Sequence, residues 1–195
     1  IPADLQQTAE EIEQLVSENA VQKLTSAALP RVQRAMLLAF AKRQIARRIT
    51  GPYLEMIREL ADSPLGFRTD RAKEQRGYPD ETLRDCAVEA MLRGANLDGN
   101  EFNIISGRTY LTLEYFERMV GELVDNLDVR EGIPTLSGDR NGALVPMTAR
   151  FRYAGQEHTV DCTGDFRIPV KVNAGMGTDA VLGKARRKLL AKVYR

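Results

Sequence analysis

The hydrophobic period of this chain changes twice, and nothing else in it constrains the fold so strongly. Ala9, Ile12, Leu15 and Val16 recur at helical steps, and so do Leu83, Cys86, Ala87, Ala90 and Met91. Val145, Met147, Ala149, Phe151 and Tyr153 instead alternate with Thr148, Arg150 and Arg152, the pattern of a half-buried strand. From Leu182 onward the helical step returns. A chain that passes from helices to strands and back to one helix predicts an α+β fold: N-terminal helices, a central antiparallel sheet with β-hairpins, packed helices and a basic C-terminal helix.

Punctuation refines the boundaries. Leu5 to Val21 reads as a first helix, and Pro30 suits the first position of a second that stops at Gly51-Pro52. Tyr53 to Ala61 continues as a short helix, and DSPLGFRTDRAKEQRGYPD is a loop rich in turn formers. Asp80 is placed to cap the next helix, which Gly94 ends. Ser106-Gly107 joins Glu101–Ile105 to Arg108–Thr112 as a tight hairpin. Leu113 to Val124 is a helix with Phe116, Met119, Val120 and Leu123 inward. Ala154-Gly155 turns a second hairpin that returns through Glu157–Cys162, and Phe166–Val172 adds a strand. The expected division is a helical region over 1–52, suited to oligomerisation, and an α+β core over 53–195.

The last eighteen residues, TDAVLGKARRKLLAKVYR, hold six basic residues from Lys184 onward and no acid after that point. Lys184, Lys188, Lys192 and Arg195 fall on one stripe of a helix with Arg187 beside it, while Leu182, Ala185, Leu189 and Val193 form an apolar stripe. Thr178 is the expected N-cap, and Asp179 suits the first turn. Cations on such a rail match a phosphate backbone; the alternative is a solvated helix face. Net charge is only +1, but it is segregated: residues 1–22 carry five acids and no base, and 31–48 carry six bases and no acid. Ends of opposite sign suit head-to-tail association of copies.

Several chemistries find little support. His158 is the sole histidine, and Cys86 and Cys162 are unpatterned, as expected of reduced thiols in a cytoplasmic protein. No apolar run reaches the ~20 residues of a membrane span, and no signal peptide is evident. Gly177 to Lys184 approaches a phosphate loop, but the glycines are one residue too far apart and Ala185 replaces the magnesium-binding hydroxyl. Asp161, Asp165 and Lys171 could form a magnesium nuclease cluster on adjacent strands, or a solvated sheet face. Arg108 and Tyr110 share one strand face, and Arg150 and Arg152 another. With Lys171 and the final helix they have the composition of a single-strand groove, where cations track phosphates and an aromatic stacks a base.

The runs DSPLGF, ETLRDCAVEAMLRGANLDGNEFNIISGRTYLTLEYFERMV, VREG and KARRKLLAKVY together resemble the RecT/Redβ family of phage single-strand annealing proteins. Cys86–Leu97 is similar to the helix that leads into that family's hairpin, Gly107–Val120 to the following strand and helix, and Lys184–Tyr194 to its basic closing helix. The likeness spans roughly residues 55–195. The hairpin is shorter than is usual there, Arg108-Thr109-Tyr110 stands where a Gly-Tyr pair is typical, and Gly138–Ala143 has no counterpart.

The resemblance implies ATP-independent annealing of complementary single strands in phage recombination. It implies ring or helical-filament homo-oligomers, single-stranded DNA and the annealed duplex as partners, a phage exonuclease, and the host single-strand-binding protein. It implies DNA contacts at Arg108, Lys184, Arg187, Lys188 and Lys192, with no cofactor and no catalytic residue. A magnesium nuclease and a non-enzymatic adaptor are the alternatives.

Overall fold

A computed structural model describes residues 3–20, 29–74 and 77–195, with the side chains of Ala3 and Asp4 left aside. It is α+β and divides into two compact units, Ile1–Leu111 and Thr112–Arg195. The expected boundary after residue 52 falls inside the first of these. Val21, at the end of the expected first helix, lies outside the described residues.

In the first unit, α1 (Ala3–Asn19), α2 (Arg31–Arg48) and α3 (Gly51–Leu60) precede α4 (Asp80–Leu92). Ile12, Ala41, Ile45, Ile49, Leu54 and Ile57 are buried together with Leu83, Ala87 and Ala90. Pro30 and Pro79 take the N-cap positions of α2 and α4, one residue before each helix, so Asp80 is a first-turn residue and not the cap. There its charge favours the helix N-terminus and pairs with Arg58.

Strands β1 (Arg68–Thr69), β2 (Phe102–Ile105) and β3 (Arg108–Leu111) form one sheet. Its β1–β2 pair is parallel, and β1 lies in a segment expected to be all loop. Phe67 stacks on Phe102 with ring centroids 4.4 Å apart. Gly66 lets the chain pass close to the end of α3: a Cβ there would lie 2.0 Å from the Leu60 carbonyl oxygen. The β2–β3 turn is the expected two-residue one, with Ser106 and Gly107 at φ 52° and 68°.

In the second unit α5 (Leu113–Leu123) is followed by β4 (Asp125–Glu131), β5 (Thr135–Leu136), β6 (Gly142–Val145), β7 (Met147–Tyr153), β8 (Gln156–Cys162), β9 (Ile168–Lys171) and α6 (Thr178–Val193). The expected single central sheet is two here, ordered β4-β7-β8 and β5-β6-β9. Pro146 marks the division. The alternation from Val145 to Phe151 is real and buried, but Val145 ends a strand of one sheet and Met147 begins a strand of the other. Tyr153, last in that pattern, is exposed at the hairpin end, and so is Leu123 at the end of α5, where Tyr115 is buried instead.

Phe166 is not in a strand. It closes a 3-10 turn, Gly164–Phe166, and β9 starts two residues later. The core gathers Met147, Ala149, Cys162, Ile168 and Val170 against Val181, Ala185, Leu189, Leu190 and Val193 of α6. No helix among the described residues is long and apolar enough to cross a membrane.

Candidate nucleic-acid interface

The nine expected contact residues fall on three surfaces. Arg108 and Tyr110 lie in the first unit, on the exposed face of β3. Register places Ile105 and Asn103 opposite them, and Arg68 beyond Asn103, so that face carries two arginines and a half-exposed tyrosine. Arg68 escaped the sequence reading because β1 was not expected.

The hairpin is clipped in place at its turn. The Tyr78 hydroxyl donates to Asp70 at 2.6 Å and accepts from the Gly107 N–H at 2.8 Å, while the Ser106 N–H donates to the other Asp70 oxygen at 2.9 Å. These bonds from Tyr78 and then Ser106 hold the Asp70 carboxyl below its ordinary range. Burial, and next the bond to Asp70, push the Tyr78 phenol up. On the inner side Thr109 Oγ1 donates to the Cys86 carbonyl at 3.1 Å, and burial raises the Cys86 thiol.

Arg150 and Arg152 are on the outer face of β7, as alternation predicts, but the face is not basic. Arg152 stands between Asp125 of β4 and Glu157 of β8, and Arg150 between Asp128 and Thr159. Thr148 stands between Arg130 and Asp161. The three arginines of this face (130, 150 and 152) therefore meet four carboxylates (125, 128, 157 and 161). Arg152 bonds Glu157 at 3.0 Å and Arg130 bonds Asp128 at 3.1 Å. Opposite charges directly across strands favour sheet pairing and lower the positive potential available to a ligand.

Lys171, Lys184 and Lys188 come together. On α6 the buried residues Ala185 and Leu189 each follow one of these lysines, so both lysines lie at the flank of the buried stripe, not on its back. That flank borders β9, an edge strand. Lys184 Nζ donates to the Lys171 carbonyl at 3.3 Å, and Lys188 Nζ donates to the Pro169 carbonyl at 2.5 Å. The lysines thus cover unpaired acceptors of a sheet edge. Pro169 suits this edge, where its missing N–H removes no ladder bond. Each ammonium has three donors, so two remain on each.

Beside them runs a groove of about 430 Å³ along β5, β6 and β9, bordered by Leu136, Leu144, Arg167, Pro169, Lys171 and Lys188, with no acidic side chain among its lining residues. Arg167 is fixed by its Nε–H, which donates to the Gly164 carbonyl at 2.8 Å. It too escaped the sequence reading, which had no reason to single out one arginine at a strand start.

The remaining residues of α6 separate. Lys192 is exposed one turn beyond Lys188, whereas Arg187 is half-buried 100° round the helix from Lys188. Arg186 bridges Glu117 of α5 and Glu131 of β4 at 3.0 and 3.4 Å, a structural role. Gly177, not Thr178, is the N-cap.

The acidic cluster expected of a nuclease does not assemble on adjacent strands. Asp161 is on β8, where its carboxylate accepts from the Thr163 N–H and hydroxyl; Asp165 is on the 3-10 turn, and Lys171 is in the other sheet. Among the described residues no group of three or more His, Cys, Asp or Glu side chains is placed to hold a metal ion. His158 stacks on Phe151 at 5.6 Å and is exposed, whereas Cys162 is buried. Compared with protein-family models, curated proteins and solved structures, the chain matches none.

Proposed function

We propose that this protein binds single-stranded DNA along the β9 edge of its second unit and anneals complementary strands without ATP, the activity implied by its resemblance to RecT/Redβ proteins. The observation that carries the reading is a groove with no acid in its lining, where Arg167 is held by Gly164 and Lys188 by Pro169, with Lys184 next to it, held by the Lys171 carbonyl. Lys188 and Lys184 sit at carbonyls two residues apart along β9, about 7 Å at strand rise. Cations at such a step meet successive phosphates and leave base edges free to be tested by a second strand. The discrimination then comes from base pairing, so no catalytic side chain is needed. The Arg68, Arg108 and Tyr110 face of the first unit supplies a second contact of the same composition.

The homo-oligomer in this reading, a ring or filament, has a surface suited to it. Val32, Met36 and Phe40 recur at i, i+4 and i+8 on α2 and are 72%, 67% and 57% exposed. No acid lies on that helix, so two such stripes repel each other, whereas the exposed Glu10, Glu13 and Glu18 of α1 complement it. Head-to-tail contact between copies satisfies both. A phage exonuclease and the host single-strand-binding protein remain the proposed further partners, in the bacterial cytoplasm.

Changing Lys184, Lys188 and Lys192 together to alanine tests the DNA assignment. Affinity for an oligonucleotide, followed by fluorescence anisotropy, is expected to fall, and the slope of log K against log salt to flatten by roughly 0.7 per lost contact. Unchanged binding in the triple variant would sink it. End-labelled DNA shortened in the presence of magnesium would point to a nuclease instead.

A further inference from the structure

We infer that Phe166 is the base-stacking residue of the β9 groove, an assignment that rests on the DNA-binding reading above and adds its recognition element. Among the described residues Phe166 is the most exposed aromatic, at 78%, against 43% for Tyr110, the stacking candidate that the sequence favours. The ring is therefore open to a ligand, and stacking a base on it removes apolar surface from water.

This ring is not on a loose loop. The Phe166 N–H donates to the Thr163 carbonyl at 2.9 Å, and Asp161 holds the Thr163 N–H and hydroxyl at 2.9 and 2.7 Å. Arg167 is tied back to Gly164, and Ile168 is 1% exposed in the core. The backbone on both sides of the ring is therefore fixed, so little ordering entropy opposes contact with a ligand.

Position selects the ligand class. Phe166 immediately precedes Arg167, the first cation of a series that continues through Lys188 and Lys171 to Lys184. An aromatic at the end of a cationic track is the arrangement that binds unpaired nucleobases, since every base has a π face and phosphates follow the cations. Asp165, exposed on the same turn, repels a phosphate at this end but not the neutral face of a base. A duplex keeps its bases stacked on one another and offers the ring nothing, so Phe166 selects single strands.

The chain contains no tryptophan, so Phe166→Trp places a single reporter at the site. With a 20-residue oligo-dT, F166W is expected to bind like the unaltered protein, and its fluorescence is expected to drop about twofold at saturation. Phe166→Ala is expected to weaken binding about tenfold with an unchanged salt slope and an unchanged melting temperature. Binding by F166A equal to that of the unaltered protein, or an unquenched F166W at saturation, overturns the assignment while the lysine rail stands. A lowered melting temperature in F166A that accounts for its weaker binding also overturns it, by making the ring structural. Failure of the unaltered protein to bind oligo-dT overturns the DNA-binding reading itself, and this one with it.

Discussion

Two arginine- and lysine-bearing surfaces of the second unit contrast in what surrounds their cations. On the β4-β7-β8 sheet Arg150 and Arg152 each face a carboxylate across the strands, and the charges serve the sheet. At β9 the cations face backbone carbonyls and an apolar groove, so their positive charge is not cancelled. Clusters of basic residues therefore differ in potential with their surroundings. What decides the difference is the neighbour across the ladder, not the residue itself.

The largest effect expected from this contrast is in the lysine variant. K184A/K188A/K192A should lose about a hundredfold in affinity at low salt, and annealing of complementary oligonucleotides should fail in parallel. A much smaller loss would erase the distinction between the two surfaces. Next in size is the oligomer: Phe40→Asp buries a charge in the proposed contact, and light scattering should show a several-fold lower mass at micromolar concentration. Retained mass would show that α2 is not the interface.

Tyr78→Phe probes the third surface. It leaves the Gly107 N–H and Asp70 without the hydroxyl, at a cost of about 1–2 kcal/mol in urea unfolding. Oligonucleotide affinity should change little if β9 carries most of the binding. The signs with pH are opposite for the two partners. Asp70 has a lowered folded pKa, so its contribution is present above the ordinary carboxylate pKa and lost as pH falls through the folded value. Tyr78 has a raised one, so its contribution is full below the ordinary phenol pKa and lost as pH rises through the folded value. Y78F should remove the Tyr78 share of the alkaline loss and reduce the acid one.

Smallest are the changes on the balanced sheet. Removing the facing acids, as D128N/E157Q, should unmask Arg150 and Arg152 and raise affinity about threefold. R150A/R152A should change it less than about twofold, because that potential is already offset. A loss matching that of the lysine variant would place DNA on this sheet instead.

Much of the fold is legible in the residues. Ser106-Gly107 and Ala154-Gly155 mark tight turns because each places a glycine, which takes positive φ without steric cost, between two strand patterns. Leu83 to Met91 and Met147 to Phe151 show their buried faces because period alone separates helix from strand. Caps were misplaced by a residue at Pro30, Pro79 and Gly177, where competing residues sit side by side. The site was half legible: helical spacing put Lys184 and Lys188 on one stripe, and alternation put Arg150 and Arg152 on one face.

Sequence by itself determined the α+β class, the hairpins and the basic final helix, since these follow from local periodicity and turn chemistry. Only the tertiary structure decided which cations are neutralised. Strand register sets Asp125 and Asp128 opposite Arg152 and Arg150, the β7–β8 hairpin brings Glu157 to Arg152, and helix docking brings Lys184 and Lys188 to the carbonyls of β9. It also separated Phe166 from the strand it was expected to begin and left its ring in solvent beside Arg167. Electrostatic potential and exposure depend on neighbours in space, and strand register and helix docking choose those neighbours.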